Sequence, residues 1–129
     1  MRKLMLAIAF ICTSATLASA ADHITVRANR TTKVDSFVFY SRVTCSGGEI
    51  PNLRAGRKPK HGKLTFKRVN GKLGPGPCAG KIMKGSAAYY TPDRGFRGED
   101  SFSISYTHDI YEGAAGRAST SYSYRVTVK

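Results

Sequence analysis

Between Pro51 and Pro92 the chain holds no acidic residue, whereas Arg54, Arg57, Lys58, Lys60, Lys63, Lys67, Arg68, Lys72, Lys81 and Lys84 are cationic. Segregated positive charge attracts polyanions and binds them by releasing their counterions. Arg54, Arg57, Lys58, Lys60, Lys63 and Lys67 are the residues expected to contact an anionic polymer: lipopolysaccharide, an acidic polysaccharide or extracellular DNA. The same charges would also serve as a solvated face that keeps the protein soluble. Sequence-specific nucleic-acid recognition is not expected, because no recognition-helix pattern is present.

A second group that could do chemistry depends on processing. Residues 1–20 have a basic start (Arg2, Lys3), an apolar run from Leu4 to Cys12 and small residues Ala18, Ser19 and Ala20 at the end. This is the pattern of a secretory signal peptide, too short for a membrane span. Cleavage is expected after Ala20, with Ala21 as the alternative, giving a periplasmic or secreted product with no transmembrane anchor. Ile11 precedes Cys12, where a lipoprotein signal would need a small residue, so lipidation is not expected. Cleavage after Ala20 would leave Ala21, Asp22 and His23 at the start. Their amine, two amides and imidazole make four nitrogens in a plane, an arrangement that suits Cu(II) or nickel.

Catalysis has weaker candidates. His61 lies in a Pro-Lys-His-Gly turn, and His108 stands beside Asp109, but no serine has a nucleophile-elbow setting. Glu99 and Asp100 are the only adjacent carboxylates, and neighbours in sequence are not thereby an acid/base pair. The expectation is a protein without catalytic function. Tyr106, Tyr111, Tyr122 and Tyr124 could stack on sugars or complete a core, with Tyr111, in a glycine-flanked loop, the contact to test. Cys45 and Cys78, the two cysteines left after processing, should pair in an oxidising compartment.

These residues must be held by strands. Phe102, Ile104 and Tyr106 alternate with Ser101, Ser103 and Ser105, the period of a half-buried strand. Before them, Pro92, Gly95 and Gly98 mark a corner in which Phe96 plugs the end of the core and Asp100 accepts backbone N–H bonds. Tyr122, Tyr124, Val126 and Val128 share one face of a closing strand over 119–128. Further strands are expected over 24–28, 63–69 and 87–91. Residues 34–43 are apolar on both faces and so should be a central strand. Residues 51–60 read as an exposed connection, Asn70-Gly71 as a hairpin turn, 74–80 as a segment unable to hold a ladder, and 109–116 as a loop. After processing, about 109 residues remain with 19 basic and 8 acidic side chains, enough for one domain spanning 21–129. Seven or eight short strands without a helical period imply an all-β, Ig-like antiparallel sandwich.

The series Pro59, His61, Gly62, then Tyr90, Thr91, Pro92, then Gly95, Phe96, Gly98, Asp100, Ser101, Phe102, and the closing strand from Tyr124 to Val128 resembles the bacterial cadherin-like and Ig-like repeats of secreted proteins. The resemblance implies a β-sandwich used as an adhesive, spacer or binding module, often in tandem and often with calcium. Here there is one copy, with an insertion containing Cys78. The eight carboxylates, Asp22, Asp35, Glu49, Asp93, Glu99, Asp100, Asp109 and Glu112, offer no acidic cluster for a hard cation wanting six to eight oxygens. The expected partner is thus an anionic polysaccharide or lipopolysaccharide, or alternatively an envelope protein met through sheet edges or end loops.

Overall fold

A computed structural model describes residues 20–110 and 115–129. The expected signal peptide over residues 1–20 lies outside the described residues except for Ala20, and so does Tyr111. Seven strands, and no helix among the described residues, build two sheets: β1 (Asp22–Val26), β2 (Thr32–Phe37), β3 (Arg54–Ala55), β4 (Gly62–Lys72), β5 (Ile82–Pro92), β6 (Gly98–Asp109) and β7 (Arg117–Val128). The four-stranded sheet runs β1-β7-β6-β3 and the three-stranded sheet β2-β5-β4. All pairings are antiparallel except β1 with β7.

The alternation along β6 and β7 aims one face of the larger sheet at the smaller one. Phe102, Ile104, Tyr106, Tyr124, Val126 and Val128 are buried against Val26, Leu53, Ala88 and Tyr90. At the centre Phe102 is stacked between two tyrosines, with ring centroids 5.6 Å from Tyr90 and 5.3 Å from Tyr124. Each tyrosine reaches across to the opposite sheet. Tyr90 of β5 donates its hydroxyl to Asp100 of β6 at 2.8 Å, and Tyr124 of β7 donates to Asp35 of β2. The two sheets are thus tied by reciprocal hydrogen bonds that satisfy hydroxyls otherwise costly to bury. Burial, reinforced by the neighbouring carboxylate, pushes both phenols above the ordinary tyrosine value.

The corner forms as its residue types require. Asp93 N–H donates to the His61 carbonyl at 2.8 Å and Phe96 N–H to the Asp93 carbonyl at 3.0 Å, while Gly95 takes φ 78°. Phe96 is half-buried, packs against the core and stacks on His61 with centroids 4.3 Å apart.

Three expectations are corrected. Residues 34–43 are not a central strand: β2 ends at Phe37 and lies at the edge of its sheet. Their two-sided apolarity has another cause, since Phe37 and Phe39 pack on Tyr106 while Val38 covers the backbone at Gly71 and Gly85. The central strand of that sheet is β5, buried from Gly85 to Ala88 through small side chains that carry little apolar signal. Residues 51–60 are more than an exposed connection: Pro51 and Leu53 are buried, Ser86 donates to the Pro51 carbonyl at 2.6 Å, and Arg54 and Ala55 pair with β6.

Asn70-Gly71, the third, does not turn the chain. Both residues stay in the ladder, opposite Lys84 and Met83, and the reversal falls on residues 73–81. A Cβ at Gly71 would only touch Val38 Cγ2, at 3.4 Å, so the close approach in this hairpin is at Gly85, where a Cβ would lie 2.5 Å from the Phe37 carbonyl oxygen. The prolines and glycines of 74–80 make the actual turn, and Cys78 bonds it to Cys45 in the excursion after β2, with Cα atoms 5.5 Å apart. Closing a loop of 33 residues should stabilise the fold by about 3–4 kcal/mol through the unfolded chain. Urea denaturation with and without reductant is expected to show that loss; equal midpoints would mean that the cross-link constrains nothing.

Candidate functional site: a cation-lined trough

After β3 the chain follows the edge of β6 before crossing to the other sheet. Gly56 N–H donates to the Ser103 carbonyl at 3.0 Å, Ser103 N–H to the Arg57 carbonyl at 3.0 Å, and Arg57 N–H to Ser103 Oγ at 2.7 Å. Further along, the N–H groups of Lys60 and His61 donate to the two carboxylate oxygens of Asp100 at 3.0 and 2.9 Å. Asp100 also accepts from Ser101 N–H and the Tyr90 hydroxyl, both at 2.8 Å. Burial pushes the Asp100 carboxyl up, but these donors outweigh it and hold the pKa below the usual carboxylate range. One buried carboxylate therefore fixes the backbone that carries Lys60 and His61, while Ser103 fixes that of Arg57. The anticipated acceptor role of Asp100 is present, and its chief partners are in the segment leading to β4.

The fixed segment forms one wall of a trough of about 490 Å³ lined by Ala21, Arg57, Lys60, His61, Glu99, Asp100, Ser101, Tyr124 and Arg125. Its floor is the outer face of the four-stranded sheet, where Ser101 stands directly opposite Arg125. A second hollow of about 390 Å³ adjoins it, sharing Ala21, Glu99 and Arg125 and adding His23. Beyond the trough the same face continues as paired hydroxyls, Ser103 opposite Ser123 and Ser105 opposite Ser121, with Arg54 beside Ser105 on β3. Arginine at such a wall can hold a carboxylate or phosphate through two parallel N–H bonds.

Arg54, Arg57 and Lys60 thus follow one edge of the larger sheet, and exposed Lys58 lies in the same segment. Lys63 and Lys67 are not brought together with them. Both lie on β4 with their side chains on the outer face of the smaller sheet, opposite Thr91 and Ala87, and Lys67 Nζ is 5.4 Å from the centre of the Tyr89 ring. The crossing between sheets at residues 57–62 is what divides the run of charge. Arg125 and Glu99 lie outside the charge run and join it only through the fold. Alternation does put Arg125 on the face away from Tyr124 and Val126, but its place beside Ser101 follows from the β6–β7 register, which no local pattern encodes.

The remaining candidates have other settings. Asp22 and His23 are in β1, paired with Tyr124 and Arg125, and His23 Nε2 lies 2.8 Å from Thr127 Oγ1. A copper chelate through Ala21, Asp22 and His23 would draw on the backbone and imidazole that this pairing uses. His108 has its nitrogens 2.9 Å from the Asp109 carbonyl and 3.0 Å from Thr120 Oγ1, so neither ring nitrogen faces a serine. Tyr106 is buried among Phe37, Phe39 and Tyr122, and burial with the Tyr122 hydroxyl pushes its pKa up to about 12. Among the described residues no three His, Cys, Asp or Glu side chains form a group that could hold a metal ion. Compared with family models, curated proteins and solved structures, the chain matches none.

Proposed function

We propose that this protein is an exported, non-catalytic binding module for an anionic polymer of the cell envelope or its surroundings, built on an Ig-like, cadherin-like sandwich. The observation that carries this reading is the alignment of Arg54, Arg57 and Lys60 along one sheet edge, with Arg57 and Lys60 lining a trough together with Arg125. Export is supported by the pattern of the leader and by the disulfide, which persists in oxidising compartments. The Ig-like topology is supported by the parallel pairing of β1 with β7, which lets the first and last strands share an edge of one sheet.

The test is retention of the oxidised protein on immobilised anionic polysaccharide and lipopolysaccharide as salt is raised. Changing Arg54, Arg57, Lys60 and Arg125 to glutamate is expected to weaken binding at least about tenfold and flatten its salt dependence. The same change at three cations on the outer face of the smaller sheet, Lys63, Lys67 and Lys33, which stands on β2 opposite Tyr89, is expected to cost much less. Equal behaviour of wild type and the first variant would reduce the trough to a solvated surface. A second reading, docking to an envelope protein, is favoured by Val43 and Ile82, which stand 94% and 70% exposed. That mode would survive high salt and ignore both charge reversals.

A further inference from the structure

We infer that the trough is built for a uronate sugar, a polysaccharide unit bearing a carboxylate beside free hydroxyls, and not for a phosphate polymer; this rests on the polyanion reading above. The discriminating residue is Glu99. It is exposed at the start of β6 and lines both hollows together with Arg125. Among the described residues it makes no ion pair, the ion pairs there being those of Arg117 with Glu49 and Asp109. Its oxygens are therefore open, and an ionised carboxylate only accepts hydrogen bonds.

Polyphosphate presents acceptor oxygens and negative charge all along its backbone and no hydroxyl donors. Laid between Arg57, Lys60 and Arg125, it would be held by the cations and repelled by Glu99. A uronate places its carboxylate against the arginines and turns hydroxyl donors toward Glu99 and Ser101, so each lining group meets its complement. Glu99 is then a contact for this class of ligand and a penalty for the other, which is how a site selects among partners of the same charge. The surface beyond the trough suits the same ligand. Ser123, Ser105 and Ser121 both donate and accept, as sugar hydroxyls do, and Arg54 stands beside Ser105 at the edge of this face.

The experiment compares polygalacturonate oligomers with polyphosphate of matched charge, at fixed salt, on wild type and the variants Glu99→Ala and Glu99→Gln. Near-ultraviolet circular dichroism checks that each variant keeps its fold. Losing a hydrogen-bonded charge is expected to lower polygalacturonate affinity about tenfold and to raise polyphosphate affinity several-fold, a reversal of preference. A change of the same sign for both polymers, or no change for either, overturns the inference and leaves the general polyanion reading standing. If wild type binds neither polymer, the polyanion reading itself fails.

Discussion

Replacing Phe102 with alanine is expected to cost about 3–5 kcal/mol, a third or more of the stability usual for a domain of this size. The ring is fully buried and lies between Tyr90 and Tyr124, which come from different sheets. Removing it leaves a void whose walls cannot close easily, because each tyrosine is anchored at its hydroxyl by a carboxylate of the facing sheet. Collapse would require one of those hydrogen bonds to break. Phe102→Leu keeps much of the volume and should cost about 1–2 kcal/mol. Urea denaturation with the disulfide intact measures both. A loss below about 1 kcal/mol for the alanine variant would mean that the sheets do not depend on this column. Below its melting range the variant should still bind polyanion as wild type does, since Phe102 points away from the outer face.

That column and its sheet were largely legible in the sequence. Strict alternation at Ser101 to Tyr106 and at Tyr122 to Val128 admits one buried face, and Pro92, Gly95 and Gly98 can only make a corner. Legibility failed where small residues replace large ones. Gly85, Ser86, Ala87 and Ala88 are the most enclosed part of the smaller sheet, yet they have no bulky apolar pattern, and at Gly85 Phe37 and Val38 leave no room for a side chain. It failed again at Asn70-Gly71, whose turn chemistry was overridden by the β4–β5 ladder that continues through both residues to Lys72. The candidate site was half legible. The charge run contains Arg54, Arg57 and Lys60, but nothing local to it shows that the chain changes sheets before Lys63, or that Arg125 arrives from the last strand. Both depend on long-range pairing, which a run of like charges cannot report.

Asp100 joins the core to the trough, and its removal should therefore injure both. Asp100→Ala leaves the N–H groups of Lys60 and His61 and the Tyr90 hydroxyl without the acceptor they now share. Stranding several donors of a buried, charge-assisted network is expected to cost about 3–5 kcal/mol. Asp100→Asn keeps one acceptor oxygen but turns an amide donor toward the remaining N–H groups, and should cost about 2–3 kcal/mol. The pH dependence identifies the cause. Because the folded-state pKa of Asp100 is depressed, its contribution is fully present above the unfolded carboxylate value of about 3.9 and is lost as pH falls through the folded value. The stability gap between wild type and Asp100→Asn should be constant from neutral pH down to about 5 and shrink below about 4, as measured by urea midpoints. A gap that persists unchanged at pH near 2 would assign the loss to packing and not to the ionised carboxylate. Binding supplies the second readout. With residues 60 and 61 no longer held to β6, Lys60 loses its fixed place beside Arg57, whose backbone Ser103 still holds, so Asp100→Asn should weaken polyanion retention at temperatures where it remains folded, although the substitution removes a negative charge. Charge alone would strengthen binding; only the positioning of the cations predicts that it falls.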